Sequence, residues 1–328
     1  MRSWFGLDDK LLQPLLARAM VTVAMRRGAE PARLLRGTGL FESDLDSRLI
    51  CARQLIKLAM QVQKQLAQPD LGFLVGHHLL RLNHPLAQAL RHAPDLRHAL
   101  LVLARHRQQL PLLQYLRLEA SSERLHCYLQ DSVGLGDSRG FFLQVTLGIL
   151  SALIRLQLDG RQQLEISLSQ SQPKALHLYQ THLGLALEFN APSDGISLPR
   201  SWWQAAFRDS DTERFALANR QLASQLMPLG LLEWLARLQH RNLKSPLGLE
   251  AAAELAGVSV ASFKRQLKDQ GSSFKANTDS VKKLRALHWL CHGDLPNEVL
   301  AKRLGYSDVH NFRRSFKRWT GAVPSVFR

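Results

Sequence analysis

The 328 residues carry 43 Lys and Arg against 27 Asp and Glu, a formal net charge of +16, with 45% hydrophobic residues and 3 Cys. At about 100–200 residues per domain this length suggests two domains, each able to bury its own core. The charged fraction of 21% and the lack of long polar tracts exclude disorder as the main state.

The first stretch reads as helices. Leu12, Leu15, Leu16, Ala19 and Val23 fall at helical spacing, as do Leu55, Leu58, Ala59, Val62 and Leu66. Pro31 suits the first turn of a short helix ending near Gly37, and residues 70–80 and 94–109 continue the helical pattern. Asp8 and Asp9 stand where a signal peptide needs apolar residues, and no uninterrupted apolar run approaches the ~20 residues of a membrane span. A cytoplasmic protein without a membrane partner is expected.

The pattern changes near residue 112. LLQYLRLEA alternates, SSE supplies a turn, and Leu125, Cys127 and Leu129 alternate against Arg124, His126 and Tyr128, which predicts a hairpin. Phe142, Val145, Ile149, Ala152, Leu153 and Leu156 return to helical period, and Leu164, Ile166 and Leu168 mark another strand. LALEF, the turn NAPSDG and ISL predict a second hairpin. Residues 211–225 read as a connecting helix closed by Met227, Pro228 and Gly230, which places a linker at 226–230. The fold class is therefore an α+β N-terminal domain, leading helices plus a small sheet over 1–225, followed by an all-α domain over 231–328.

Charge follows this division. Residues 229–328 hold 17 Lys and Arg against 8 Asp and Glu, whereas residues 1–228 hold 26 against 19. A positive field of that density favours a polyanionic partner with a phosphate backbone, such as double-stranded DNA.

An internal repeat carries the argument further. AELAGVSVASFKRQLK (253–268) and AKRLGYSDVHNFRRSFK (301–317) share a frame, with one extra residue in the second turn. Ala253 and Ala301 are small enough for a close helix crossing, while Gly257 and Gly305 end a helix in the left-handed region. Ser259 and Asp308 stand at the N-cap of a following helix that Phe263 and Phe312 anchor to the core. This is the layout of two tandem helix-turn-helix units. Between them residues 274–291 predict one long helix, with Val281, Leu284, Leu287 and Cys291 along one side. That helix sets two consecutive major grooves, about 34–36 Å apart, within reach of one chain.

The run Ala301-Lys-Arg-Leu-Gly-Tyr-Ser-Asp308, with Phe312, Arg314, Phe316-Lys-Arg-Trp-Thr-Gly321, Pro324 and Phe327-Arg328, resembles the C-terminal signature of AraC/XylS-type bacterial transcription regulators. The resemblance covers 231–328. Residues 10–205 are more loosely similar to the arabinose-binding type of N-terminal domain, through DLGFLVGHHL, HPLAQALRHAPDLRHAL and LALEFNAPSDGISL. The resemblance implies base contacts from Ala261, Ser262, Lys264 and Arg265 on the first reading helix and from His310, Asn311, Arg313 and Arg314 on the second. Lys268, Lys317 and Arg318 read as phosphate contacts that position without specifying. Lys264, Gln266 and His310 depart from the residues usual in the subgroup, so the target sequence is not transferred.

The resemblance also implies activation through RNA polymerase, with repression as the other sign, and a small-molecule effector in 1–225, where Trp202 and Trp203 stand among many Arg and His. The expected effector site is a mostly apolar pocket between the leading helices and the sheet, with one or two basic residues fixing an acid group. Two alternatives are a ligand-independent homodimeric regulator and an architectural DNA-binding protein of low specificity. The histidines at 77, 78, 84, 92, 98 and 106 read as surface or capping residues, with no metal expected. Gly134, Gly136 and Gly140 lack a βαβ context and read as a turn. No catalytic constellation stands out, and neither enzyme activity nor a cofactor is expected.

Overall fold

In the computed structural model, residues 2–158, 164–223, 227–293 and 295–328 are described. They form two compact units: one comprises Gly6–Asp131 and Leu135–Met227, the other the segment up to Phe5, Ser132–Gly134 and Pro228–Arg328. The first strand, β1 (Trp4–Phe5), belongs to the latter.

The larger unit begins with seven described helices: α1 (Leu15–Met25), α2 (Pro31–Leu35), α3 (Asp44–Ser47), α4 (Ala52–Leu66), α5 (Leu71–Arg81), α6 (Pro85–His92) and α7 (Leu96–His106). Pro31 and Pro85 occupy first turns, where the missing N–H is no loss. The hairpin β2 (Gln114–Ala120) and β3 (Arg124–Asp131) forms as the alternation predicts, closed by Arg124 N–H donating to Ser121 Oγ. Next comes α8 (Arg139–Gln157), long and apolar enough to cross a membrane, yet with 78% of its most apolar window buried in the protein. It packs on α5 at backbone distance. A Cβ on Gly76 would lie 2.3 Å from the Val145 carbonyl oxygen, and one on Gly148 would lie 2.7 Å from that of Phe73. Only glycines allow this crossing.

The strands β4 (Glu165–Leu168), β5 (Leu187–Phe189) and β6 (Gly195–Pro199) complete a five-stranded sheet of order β2-β3-β6-β4-β5, with α9 (Leu176–Leu183) between β4 and β5. This corrects the expected second hairpin. β5 pairs in parallel with β4 at the edge, and β6 inserts antiparallel between β3 and β4. The turn carries the chain across the end of β4 because Asn190 N–H donates to Gln170 O and Ala191 N–H to Leu168 O. Asp194 then fixes the crossing: its carboxylate accepts from Ser169 N–H (2.7 Å) and Ser169 Oγ (2.8 Å) and meets Arg139 at 2.8 Å. The unit ends in α10 (Thr212–Ala223); residues 224–226, the end of the expected connecting helix and the first position of the expected linker, lie outside the described residues.

The smaller unit joins β1 in parallel to β7 (Leu229–Gly230) and continues as α11 (Leu231–Arg241), α12 (Leu249–Leu255), α13 (Val260–Asp269), α14 (Phe274–His292), α15 (Asn297–Arg303) and α16 (Val309–Thr320). It holds two cores. One gathers Leu231, Leu235, Ala252, Ala253, Phe263 and Leu267 around Trp4; the other gathers Leu287, Leu300, Ala301, Leu304, Phe312 and Phe316. The linking α14 buries Val281, Leu284 and Leu287 as expected, but Cys291 is exposed and Leu290 takes the inward position. The segment Ser132–Gly134 is built into the same unit. The Ser132 carbonyl accepts from Leu232 N–H (3.1 Å) and Glu233 N–H (3.3 Å), satisfying two donors at the first turn of α11.

Candidate nucleic-acid interface

The two helix-turn-helix units are α12 with α13 and α15 with α16. Gly257 (φ 69°) and Gly305 (φ 73°) both take the left-handed backbone that makes the turn. At Gly305 the neighbourhood is also tight, since a Cβ would lie 2.6 Å from the Leu243 carbonyl oxygen. The caps form as the sequence predicts: Ser259 Oγ accepts from Ser262 N–H at 3.2 Å, and Asp308 Oδ1 from Asn311 N–H at 2.7 Å. That backbone hydrogen bond is the main reason the Asp308 carboxyl sits below the usual carboxylate range. Phe263 and Phe312 are fully buried, which fixes the rotation of α13 and α16 and decides which side chains face outward.

On α13 the outward residues are Ala261, Lys264, Arg265 and Lys268, with Ser262 half-buried. On α16 they are His310, Arg313, Arg314, Lys317 and Arg318, with Asn311 half-buried. Each reading helix thus carries its anticipated residues on one accessible side. Three are held by neighbours. Arg314 donates to Asn311 Oδ1 at 2.9 Å while Asn311 leans on the Asp308 carboxylate, a relay that runs from the cap to the guanidinium and orients it. Arg318 donates to Asp279 Oδ2 on α14 at 3.0 Å and stays 53% exposed, so its charge is partly engaged by a carboxylate of its own unit. Arg313 lies 4.0 Å from Glu298, at the limit of an ion pair.

Sequence reasoning missed two features of this unit. Trp4 is 2% exposed and its indole Nε1–H donates to the Ala256 carbonyl at the end of α12, 3.1 Å away. Its only signal was an aromatic pair near the N-terminus. The second is a cleft of about 630 Å³ lined by Arg241, Lys244, Arg285 and Arg303, in which the Arg285 and Arg303 guanidiniums stand 4.4 and 5.6 Å from the Trp289 ring. These cations are scattered over four segments, so no run in the sequence announced them.

Elsewhere, His84 caps α6, its Nδ1 accepting from Leu86 N–H at 3.2 Å, whereas at α7 the cap is Asp95, which accepts from His98 N–H and meets the His98 ring at 2.7 Å; His106 is buried, against the surface or capping place expected. In the larger unit the clefts described have linings of mixed polarity from helices and their connections, with no strand residue of the sheet among them, unlike the helix–sheet pocket expected.

Comparison with known proteins agrees with this architecture. Residues 28–207 match the arabinose-binding domain of AraC transcription regulators, N-terminal type, and residues 252–328 match a helix-turn-helix domain family. The ornithine utilization regulator of Pseudomonas aeruginosa is 26% identical over 278 residues, covering 83% of this chain and 82% of that one. The transcriptional regulator RipA of Corynebacterium glutamicum is 36% identical over 87 residues, 26% of each chain. The crystal structure of the regulator CdpR from Pseudomonas aeruginosa covers 97% of this chain and 99% of that one, with 19% identity and a TM-score of 0.47. The chain belongs to the AraC-type transcription regulators, with an N-terminal ligand-binding domain and a C-terminal helix-turn-helix DNA-binding domain.

Proposed function

We propose that the protein is a cytoplasmic, sequence-specific transcription activator in which residues 231–328 read DNA and residues 1–225 sense a small metabolite and dimerise. Ala261, Ser262, Lys264 and Arg265 address one major groove; His310, Asn311, Arg313 and Arg314 address the next. Lys268, Lys317 and Arg318 take phosphates, and activation proceeds by contact with RNA polymerase. The observation that carries the reading is the pair of capped helices α13 and α16, each buried through a phenylalanine and each exposing a cationic outer side. The kinship with an ornithine utilization regulator supports a metabolic effector. An effector moves DNA affinity only by binding two arrangements of the protein unequally.

Selection of random duplexes by the full-length protein at a stated salt concentration tests this. The expected product is an asymmetric motif of two blocks one helical turn apart, duplicated where the protein dimerises. Enrichment of base composition alone, with a steep salt slope, would replace this reading by an architectural role.

A further inference from the structure

The larger unit contains a cleft of about 290 Å³ lined by Gln13, Arg18, Asp46, His84, Gln109 and Gln221, among others. It is small, at the lower limit of ligand cavities, which run from roughly 300 to 1,000 Å³. Its lining combines one permanent cation, one carboxylate and three side-chain amides with the apolar Pro14, Leu15, Pro85 and Leu222. Arg18 and Asp46 line the same cleft, yet neither pairs with the other or with any other described charge. Opposite charges that share a cleft without closing on each other suit a ligand that carries both charges and spans them.

We infer that this cleft binds a small zwitterion of amino-acid size, its carboxylate on Arg18 and its ammonium on Asp46; the inference rests on reading residues 1–225 as the sensing part. His84 completes the donor set. Its Nδ1 accepts from Leu86 N–H, and burial together with nearby Arg18 pushes its pKa down to about 4. A neutral ring that accepts at Nδ1 carries its proton on Nε2, so His84 offers a hydrogen-bond donor without adding a second positive charge. The amide of Gln13 suits a remaining polar group, and Pro14, Leu15, Pro85 and Leu222 in the same lining suit an apolar part of the ligand. Gln221 stands in the last turn of α10, a few residues before Pro228 in the chain. A ligand held there touches the segment that leads to the DNA-binding unit.

The test is calorimetric titration of the full-length protein with the twenty standard L-amino acids and L-ornithine. Any binder is then repeated as its amine, lacking the carboxylate, and as its acid, lacking the α-ammonium. The expected result is at least one amino acid bound, with Arg18→Ala weakening it tenfold or more but leaving the amine's affinity unchanged, and Asp46→Ala showing the mirror pattern with the acid. Both side chains are exposed, so both variants should keep the wild-type melting temperature, and Gln221→Ala serves as a third probe of the same cleft. Binding indifferent to all three substitutions, or no amino acid bound at millimolar concentration, overturns the site. DNA affinity measured in parallel with fatty and aromatic acids separates the two claims. A response to those acids alone keeps effector control and removes this site, whereas no response to any compound removes effector control itself.

Discussion

Ser132 Oγ donates to Glu233 Oε2 at 2.8 Å, and the Glu233 side chain is completely buried. Glu233 is balanced by Arg237, whose Nε donates at 2.9 Å from one turn along α11 and whose head remains 46% exposed. With the Ser132 carbonyl on the first turn of the same helix, one residue thus satisfies a buried carboxylate and two helix-end donors. Ser132→Ala removes only the hydroxyl and should cost about 1–2 kcal/mol. Glu233→Ala leaves both the hydroxyl and Arg237 without their acceptor; because Arg237 reaches water, the cost should be nearer 1–3 kcal/mol than the full value of a broken buried pair. Urea unfolding of the full chain reads both.

Trp4 makes a comparable demand from the other end of the chain. Trp4→Ala opens a cavity between α11, α12 and the turn and leaves the Ala256 carbonyl unpaired, for a loss of roughly 3–5 kcal/mol. Trp4→Phe keeps much of the packing and loses the hydrogen bond, about 1–2 kcal/mol. Both variants should lower the melting temperature, the first by more, and the first should weaken specific DNA binding through the altered seat of α13.

For DNA recognition, Arg265→Ala and Arg314→Ala should each cost about 1–3 kcal/mol on the selected site and relax preference at the bases they address. Lys317→Ala should weaken all sequences alike and reduce the salt slope by about one. Asn311→Ala should reproduce part of the Arg314 effect, because it removes the oxygen that orients that guanidinium. Equal losses on specific and random duplexes for all four would remove the base-reading roles.

Acid should destabilise the larger unit through two histidines. Burial, aided by His182 and nearby arginines, pushes His77 down to about 4, and burial with Arg18 does the same to His84. Between the unfolded value near 6.5 and the folded value near 4 the unfolded chain binds more protons, so stability is complete above pH 6.5 and falls as pH drops through that window. Thermal melting from pH 8 to pH 4 should show a plateau and then a decline. His84→Asn, which keeps a capping acceptor, should flatten the decline, and His77→Phe should do so as well.

The C-terminal unit was readable because its constraints are local. Gly257 and Gly305, the caps Ser259 and Asp308, and the anchors Phe263 and Phe312 act within a few residues of one another, so spacing alone placed them. The small sheet was only half readable. Periodicity located β5 and β6, but their partners depend on Asp194 reaching Ser169 and Arg139, contacts with no trace in local pattern. Cys291 shows another limit: stepping by three or four along a 19-residue helix drifts off the buried side, and Leu290 holds the place that Cys291 was expected to take. The inclusion of Trp4 and Ser132 in the DNA-binding unit lies beyond any reading of local sequence.

That three-part construction imposes an order on biosynthesis. Trp4 leaves the ribosome 252 residues before Ala256, and at about 5–20 residues per second its indole waits roughly 13–50 s for the carbonyl it will hold. A nascent chain can therefore complete the ligand-binding unit before the helices that pack against Trp4 have been made. The first helix-turn-helix unit thus closes its core by joining one of the oldest residues of the polypeptide to a carbonyl made 252 residues later.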